Sequence, residues 1–191
     1  MQQNMEKQIS KAVEVLKKGG VIIYPTDTIW GIGCDATNPK AVEKVFEIKR
    51  RSDSKSLIVL ASDTGMINQY VQQIPEIAYQ LIELNDKPMT IIYPNAAGLA
   101  ENVVAEDGSI GIRIPMNDFC IKLIRAFKKP IVSTSANISG ENAPQNYGEI
   151  AKEILDAADF VADPELEGKS THKASQILKV GLGGEIEVIR K

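Results

Sequence analysis

The chain has 191 residues, of which 43% are hydrophobic, and a formal net charge of −3. This length and apolar content predict one domain over residues 1–191, because a chain of this size buries roughly 70% of its unfolded surface. The mild negative charge argues against a protein that coats nucleic acid without selectivity. No apolar run approaches the roughly 20 residues that span a bilayer, and the N-terminus lacks the layout of a secretion signal. We therefore expect a cytoplasmic protein with no membrane contact.

Hydrophobic periodicity predicts helices and strands along the whole chain. The predicted helices lie near residues 9–16, from Asn38-Pro39 onward, and near 63–72, 75–84, 120–127 and 147–156. The predicted strands lie near residues 21–24, 56–60, 89–93, 109–114, 130–132, 159–162, 174–180 and 185–189. The two kinds of element alternate irregularly, with short turns between several strands. This order predicts an α+β, three-layer fold in which helices cover the faces of a mixed β-sheet.

Several common catalytic designs are missing from the sequence. It contains no phosphate-binding P-loop motif, and Gly31-Ile32-Gly33 lacks the third glycine of a dinucleotide fingerprint, so we interpret it as a close-packed turn. Cys34 and Cys120 have neither disulfide nor metal-ligand spacing, and His172 is the only histidine. A Cys/His metal site and a Ser-His-Asp triad are thereby excluded. The remaining chemistry is positioning and charge neutralisation, as in nucleotidyl and phosphoryl transfer.

One segment concentrates neutral hydrogen-bonding groups at the end of a predicted strand. Residues 133–140 read Ser-Thr-Ser-Ala-Asn-Ile-Ser-Gly, with four hydroxyls and one carboxamide. Such groups can hold an anionic ligand without a charge, and Gly140 lets the backbone come close to it. An ordinary turn is the alternative, because Ser and Asn also cap and turn chains for local reasons.

Basic residues cluster between positions 40 and 55. Lys49 and Arg51 would point to opposite sides of a continuing helix, but to the same side of an extended backbone, together with Lys55. If these cations bind one phosphate-bearing ligand, the preceding helix must end near Ile48. A frayed, solvated helix end is the alternative.

Farther along, strand alternation places Ser109 and Arg113 on one face of their strand.

The ordered set of motifs resembles the YrdC/Sua5/YciO family. The motifs are Tyr24-Pro25-Thr26-Asp27-Thr28, Lys49-Arg50-Arg51, Arg113-Ile114-Pro115 and the polar segment that begins at Ser133. The resemblance runs from about Gly20 to Ser170. It implies a YrdC/RibB-like fold, in which a twisted open mixed sheet surrounds a concave groove.

The resemblance also implies an activity. Family members of this kind are nucleotidyltransferases that combine L-threonine, bicarbonate and ATP into threonylcarbamoyl-adenylate and release pyrophosphate. Mg²⁺ would be bound mainly through the triphosphate. Partner proteins would use the adenylate to form threonylcarbamoyladenosine in tRNA.

Site residues follow from the resemblance position by position. The expected catalytic residues are Lys49 and Arg51. The expected ATP-binding residues are Lys49, Arg51, Lys55, Ser109, Ser135, Asn137 and Arg190. The expected threonine-binding residues are Thr28, Arg113, Ser133 and Ser170.

Two alternatives stay open at this point. The first is a non-catalytic module of the same fold that binds tRNA or double-stranded RNA, although few aromatic residues are available for base stacking. The second is a diverged paralogue that makes another acyl-adenylate. Departures from the family pattern at Ser52, Leu60 and 170–173 permit the second alternative.

Overall fold

A single mixed sheet organises the molecule. The computed structural model describes residues 2–50 and 57–191. Nine strands run across the sheet in the order β7-β1-β2-β6-β3-β5-β4-β8-β9. They are β1 (Ile22–Tyr24), β2 (Gly31–Gly33), β3 (Ile58–Leu60), β4 (Met89–Tyr93), β5 (Ile110–Arg113), β6 (Ile131–Ser135), β7 (Phe160–Val161), β8 (Gln176–Val180) and β9 (Ile186–Arg190).

The sheet contains both parallel and antiparallel pairs of strands. Strand β3 is parallel to β5, β4 to β8 and β1 to β7, whereas the other neighbouring strands are antiparallel. The sheet is open and mixed, with helices packed against it. The predicted fold class is therefore confirmed.

Six α-helices accompany the sheet in the described part of the chain. They are α1 (Gln2–Lys17), α2 (Pro39–Ile48), α3 (Thr64–Tyr70), α4 (Glu76–Leu84), α5 (Asp118–Phe127) and α6 (Lys152–Ala157). Two short 3-10 turns lie at Tyr147–Glu149 and Pro164–Leu166. Within residues 2–50 and 57–191, no helix is both long and apolar enough to cross a membrane.

Helix α2 begins where its sequence predicts. The Asn38 side chain accepts hydrogen bonds from the backbone N–H groups of Lys40 and Ala41, while proline occupies the first turn. The helix ends at Ile48, where a shared role for Lys49 and Arg51 requires it to end, and Arg50 adopts a left-handed φ of 49°. Lys49 thus lies at the point where the chain leaves the helix.

The two faces of the sheet differ in their contacts. On one face, Ile112 lies in an apolar pocket together with Ile67 of α3 and Ile82 of α4. On the other face, the adjacent Arg113 lines a polar cavity. The alternation predicted for this strand is therefore present at Ile112 and Arg113, and it separates the core from the candidate site.

Two local predictions were wrong. Residues Gly31–Gly33 form strand β2, not a turn, and pair with both β1 and β6. A Cβ atom on Gly33 would lie 1.9 Å from the Val132 carbonyl oxygen, so the glycine allows a close approach between strands. The helix expected near 147–156 is interrupted, because Ile150 is extended and buried between the 3-10 turn and α6.

Candidate active site

A cavity opens on the polar face of the sheet, where strands from both halves of the chain meet. Its volume is about 200 Å³. This is smaller than the roughly 300–1,000 Å³ of typical drug-sized pockets, so the closed part of the cavity fits a small ligand. The lining residues are Thr26, Thr28, Ile29, Gly31, Leu57, Ile58, Arg113, Ser133, Thr134, Ser135, Ala174, Ser175 and Arg190.

Hydrogen bonds in the β1–β2 loop fix the direction of the Thr28 hydroxyl. The Thr26 hydroxyl donates its single proton to the carbonyl oxygen of Ile29, at 2.7 Å. The contact of 2.9 Å between the Thr26 and Thr28 hydroxyls must then have Thr28 as its donor. The lone pairs of Thr28 are left to accept a hydrogen bond. Thr28 is thus suited to an amine or ammonium group.

A buried ion pair lies beside this loop. The Nη1 atom of Arg113 donates to Oδ1 of Asp27 at 3.1 Å, and the two side chains are only 5% and 7% exposed. The other carboxylate oxygen, Oδ2 of Asp27, is buried without a hydrogen-bond partner in the described part of the chain. Arg113 reaches the cavity wall, so part of its charge is available to an anionic ligand.

Arg190 brings a second guanidinium group to the cavity from strand β9. Its Nε atom donates to the carbonyl oxygen of Ser175 at 2.9 Å. Partial burial, and then the positive charge of Arg113, lower the pKa of Arg190 from its usual high value. Two cations within electrostatic reach of each other favour an anionic ligand between or beside them.

Residues 170–175, which we call the strap, cross the β1–β2 loop. The Ser170 hydroxyl donates to the carbonyl oxygen of Thr28, and the Thr171 N–H donates to the carbonyl oxygen of Asp27 at 3.0 Å. At the other end of the strap, the hydroxyls of Ser175 and Thr90 lie 2.8 Å apart. The strap connects the β1–β2 loop to strands β4 and β8, and Ala174 and Ser175 close one wall of the cavity.

The Lys49 side chain holds the polar segment 133–140 in place through hydrogen bonds to its backbone. Its ammonium group donates to the carbonyl oxygens of Ser135 and Asn137 at 2.5 and 2.7 Å, and the residue is 3% exposed. The Ser139 N–H donates back to the Lys49 carbonyl oxygen at 2.9 Å. These contacts hold the end of strand β6, which carries Ser133 and Ser135 into the cavity.

The structure brings five of the predicted site residues together in the cavity wall. They are Thr28, Arg113, Ser133, Ser135 and Arg190. Ser170 does not line the cavity, but its hydroxyl donates to the carbonyl oxygen of Thr28, which does. The predicted residues Arg51 and Lys55 lie outside the described residues.

Ser109, Asn137 and Lys49 do not line the cavity as the structure has it. The Ser109 hydroxyl donates to the Asp107 carboxylate at 2.5 Å. The Asn137 amide group donates to the carbonyl oxygens of Ile138 and Glu141, both at 2.9 Å, and so shapes its own loop.

Sequence reasoning overlooked the roles of Thr26 and Asp27. Both belong to the motif at 24–28, from which only Thr28 was singled out as a site residue. Ser175 was also overlooked, because its contacts depend on how distant strands pair. The available signal for Asp27 was its position directly before Thr28, a predicted ligand residue.

Two guanidinium groups and the Thr28 hydroxyl thus line one cavity, an arrangement with the chemistry to bind an anionic group and an amine. A family model described as telomere recombination, Sua5_yciO_yrdC, matches residues 14–191. The chain belongs to the Sua5/YciO/YrdC family. The resemblance inferred from the ordered motifs is confirmed.

Relatives of known name span most of the chain. A protein from Methanocaldococcus jannaschii is 38% identical, in a match that covers 92% of this chain and 83% of that protein. The threonylcarbamoyl-AMP synthase of Hahella chejuensis is 32% identical over 92% of this chain and 95% of its own length. The threonylcarbamoyl-AMP synthase of Stenotrophomonas maltophilia is 35% identical over 85% of this chain and 89% of its own length.

Solved structures share the fold. The crystal structure of P. abyssi Sua5 complexed with L-threonine has a TM-score of 0.83 and 25% identity, over 90% of this chain. This chain spans only 50% of that Sua5 chain. The crystal structure of E. coli YciO has a TM-score of 0.79 and 22% identity, and the match covers 97% of this chain and 89% of YciO. The YciO likeness shows the fold alone.

Proposed function

We propose that this protein is an L-threonylcarbamoyladenylate synthase. It forms threonylcarbamoyl-AMP and pyrophosphate from L-threonine, bicarbonate and ATP. The observation that carries the proposal is the convergence of Arg113, Arg190 and the Thr28 acceptor in one cavity. Relatives named threonylcarbamoyl-AMP synthase, matched over most of their length, support the same activity.

The reaction divides into two bond-forming steps. The amine nitrogen of threonine attacks the carbon of bicarbonate, from which water leaves, or the carbon of carbon dioxide, with loss of one proton from the nitrogen. Either route gives a carbamate. An oxygen of that carbamate attacks the α-phosphorus of ATP, and pyrophosphate leaves with the electron pair of the broken P–O bond. Neither step needs a protein nucleophile, so the protein contributes orientation and charge neutralisation.

Each wall of the cavity has a part in this scheme. Arg113 pairs with the threonine carboxylate, and the Thr28 hydroxyl accepts a hydrogen bond from the threonine amine, which orients the nitrogen toward the incoming carbon. Ser133 and Ser170 complete the threonine subsite. Arg190 and the hydroxyls at the end of β6 bind phosphate oxygens, where a guanidinium fork matches phosphate geometry.

Magnesium enters with ATP in this scheme. In residues 2–50 and 57–191, no group of three or more His, Cys, Asp or Glu side chains is placed to hold a metal ion. The phosphate oxygens and water would therefore supply most of its ligands. An ion bound in this way would supply positive charge beside the departing pyrophosphate.

A pyrophosphate-release assay tests the proposal directly. Pure protein with L-threonine, bicarbonate and magnesium-ATP should release pyrophosphate, and omission of any one substrate should abolish the release. Absence of threonine-dependent release would contradict the proposal. Release with another amino acid in place of threonine would favour the diverged paralogue.

The same protein preparation tests the RNA-binding alternative. Binding of tRNA that weakens steeply with salt, without pyrophosphate release, would favour the non-catalytic module. In the proposed pathway the adenylate passes to proteins that modify tRNA, so addition of those proteins and tRNA should consume it.

A further inference from the structure

The ion pair behind the cavity has features that fold stability alone does not explain. Asp27 accepts a hydrogen bond from Arg113 through Oδ1, whereas Oδ2 is buried and has no hydrogen-bond partner in the part of the chain that the structure describes. Burial of a charged pair is costly unless good geometry and further hydrogen bonds compensate for it. Because only one oxygen of the Asp27 carboxylate is hydrogen-bonded, its burial contributes little net free energy to the stability of the fold. Its position behind a cavity-lining guanidinium points to a role in the site.

We infer that Asp27 is a positioning residue that holds the Arg113 guanidinium in the orientation in which it binds the substrate carboxylate. This inference rests on the proposed function and deepens it. Asp27 does not line the cavity, and its carboxylate therefore acts through Arg113. Its charge anchors Nη1, which leaves the other guanidinium N–H groups of Arg113 for the ligand and the surrounding wall.

The surroundings of Arg113 explain why an anchor is needed. Arg190 lies close enough for the positive charge of Arg113 to act on it, so the two guanidinium groups repel each other. Without Asp27, a buried Arg113 would gain by turning toward solvent, where its charge is hydrated. The backbone of Asp27 adds a second constraint, because its carbonyl oxygen accepts a hydrogen bond from Thr171 of the strap.

The substitution Asp27→Asn separates the positioning role from its alternatives. It keeps the shape and one acceptor oxygen but removes the negative charge. If Asp27 positions Arg113, the KM for threonine should rise roughly tenfold or more, because the ion pair is lost and only a weaker hydrogen bond from Arg113 to a neutral oxygen remains. The KM for ATP should change less than about twofold, because the phosphate-binding groups are not anchored by Asp27.

Each rival explanation predicts a different result. If Asp27 only dampened the positive charge of the cavity, its removal would strengthen the attraction for the threonine carboxylate, and the KM for threonine would fall. If Asp27 served the fold alone, the free energy of unfolding would fall while the KM for threonine stayed the same. Either result would overturn the inference.

Asp35 offers a matched control within the same chain. It is 5% exposed and pairs with Lys129 at 2.9 Å, but it does not line the cavity. Asp35→Asn therefore removes a buried, paired carboxylate of similar burial. It should lower stability to a comparable extent and leave the KM for threonine unchanged.

Two further measurements keep the test decisive. In the Arg113→Ala background, Asp27→Asn should have no additional effect on the KM for threonine, because the group that it positions is gone. An equal effect in both backgrounds would overturn the inference. If Asp27→Asn does not fold, Asp27→Glu restores the charge, and it should retain threonine affinity better than Asp27→Ala.

Titration calorimetry with L-threonine alone distinguishes failure of this inference from failure of the proposed activity. If the wild type binds threonine but releases no pyrophosphate, the proposed reaction is wrong and the role of Asp27 is still measured by the binding constant. If the wild type is active and Asp27→Asn binds threonine as tightly as the wild type does, the positioning role is wrong.

Discussion

The buried ammonium of Lys49 gives the most direct prediction, because one side chain supports the polar segment that forms part of the cavity wall. Lys49→Met keeps much of the length and apolar volume of the side chain and removes its charge. The carbonyl oxygens of Ser135 and Asn137 then lose donors that lie at 2.5 and 2.7 Å. We expect the free energy of unfolding to fall and the polar segment to loosen.

The magnitude follows from two opposing contributions. Hydrogen bonds to a charged group contribute about 1.5–3 kcal/mol each, and at least two are lost here. The substitution also removes the cost of burying an ammonium group, which offsets part of that loss. A net destabilisation of about 2–4 kcal/mol remains. This is a large fraction of the roughly 5–15 kcal/mol that stabilises a typical domain.

Urea unfolding followed by tryptophan fluorescence measures this change. The chain has a single tryptophan, Trp30, which packs edge-on against Tyr147 with ring centroids 5.3 Å apart. The backbone of Trp30 also accepts a hydrogen bond from Ala136 in the polar segment, so its emission reports on this region. A shift in the midpoint at constant slope would identify a change in stability.

Lys44→Met is the matched control. Lys44 is exposed and donates to one carbonyl oxygen, that of Gly19, at 2.9 Å. It should change stability by less than about 0.5 kcal/mol, as is usual for surface substitutions. If Lys49→Met costs no more than this control, the ammonium does not support the loop, and the reasoning is refuted.

Three further predictions test the fold and the cavity. Gly33→Ala should lower the free energy of unfolding by at least about 2 kcal/mol in the same urea assay, because its Cβ would lie 1.9 Å from the Val132 carbonyl oxygen. Gly111→Ala is the control, because the nearest atom there is 3.4 Å away. An equal loss of stability in both variants would contradict this cause. Hydrogen bonds from a neighbouring hydroxyl and ammonium lower the pKa of Asp107 to about 2. Asp107→Asn should therefore be less stable than the wild type above about pH 4, by under about 1 kcal/mol because the carboxylate is half exposed. This difference in the free energy of unfolding should disappear as the pH falls toward 2. A difference that stays constant with pH would contradict the prediction. Arg190→Gln should raise the KM for ATP roughly tenfold in the pyrophosphate assay, and an unchanged KM would remove this residue from the phosphate site.

The sequence predicted the outline of the fold because local rules governed it. Helix α2 carries its own start signal at Asn38, so its beginning was predictable, whereas its end near Ile48 followed only if Lys49 and Arg51 bind one ligand. Strand β2 was missed for a physical reason. Two glycines in a three-residue strand resemble a turn by propensity, and only the pairing with β1 and β6 makes them a strand.

The cavity was predicted in part. Thr28 and Arg113 belong to motifs that the sequence shows, and the concentration of hydroxyl groups in the polar segment indicated Ser133 and Ser135 as site residues. The strap contact between Ser170 and Thr28 joins residues 142 positions apart, and periodicity carries no information at that separation. The direction of the Lys49 side chain could not be predicted either, because it depends on where the polar segment 133–140 lies in the folded protein.

The cavity walls come from segments that begin at Thr26 and end at Arg190. Any molecule that fills this space therefore touches both the loop that follows β1 and the last strand, β9, and it binds the assembled fold in preference to fragments. A ligand at one hundred times its dissociation constant would raise global stability by about 2.7 kcal/mol. Amide hydrogen exchange should then slow in β1 and in β9 together, although neither strand neighbours the other.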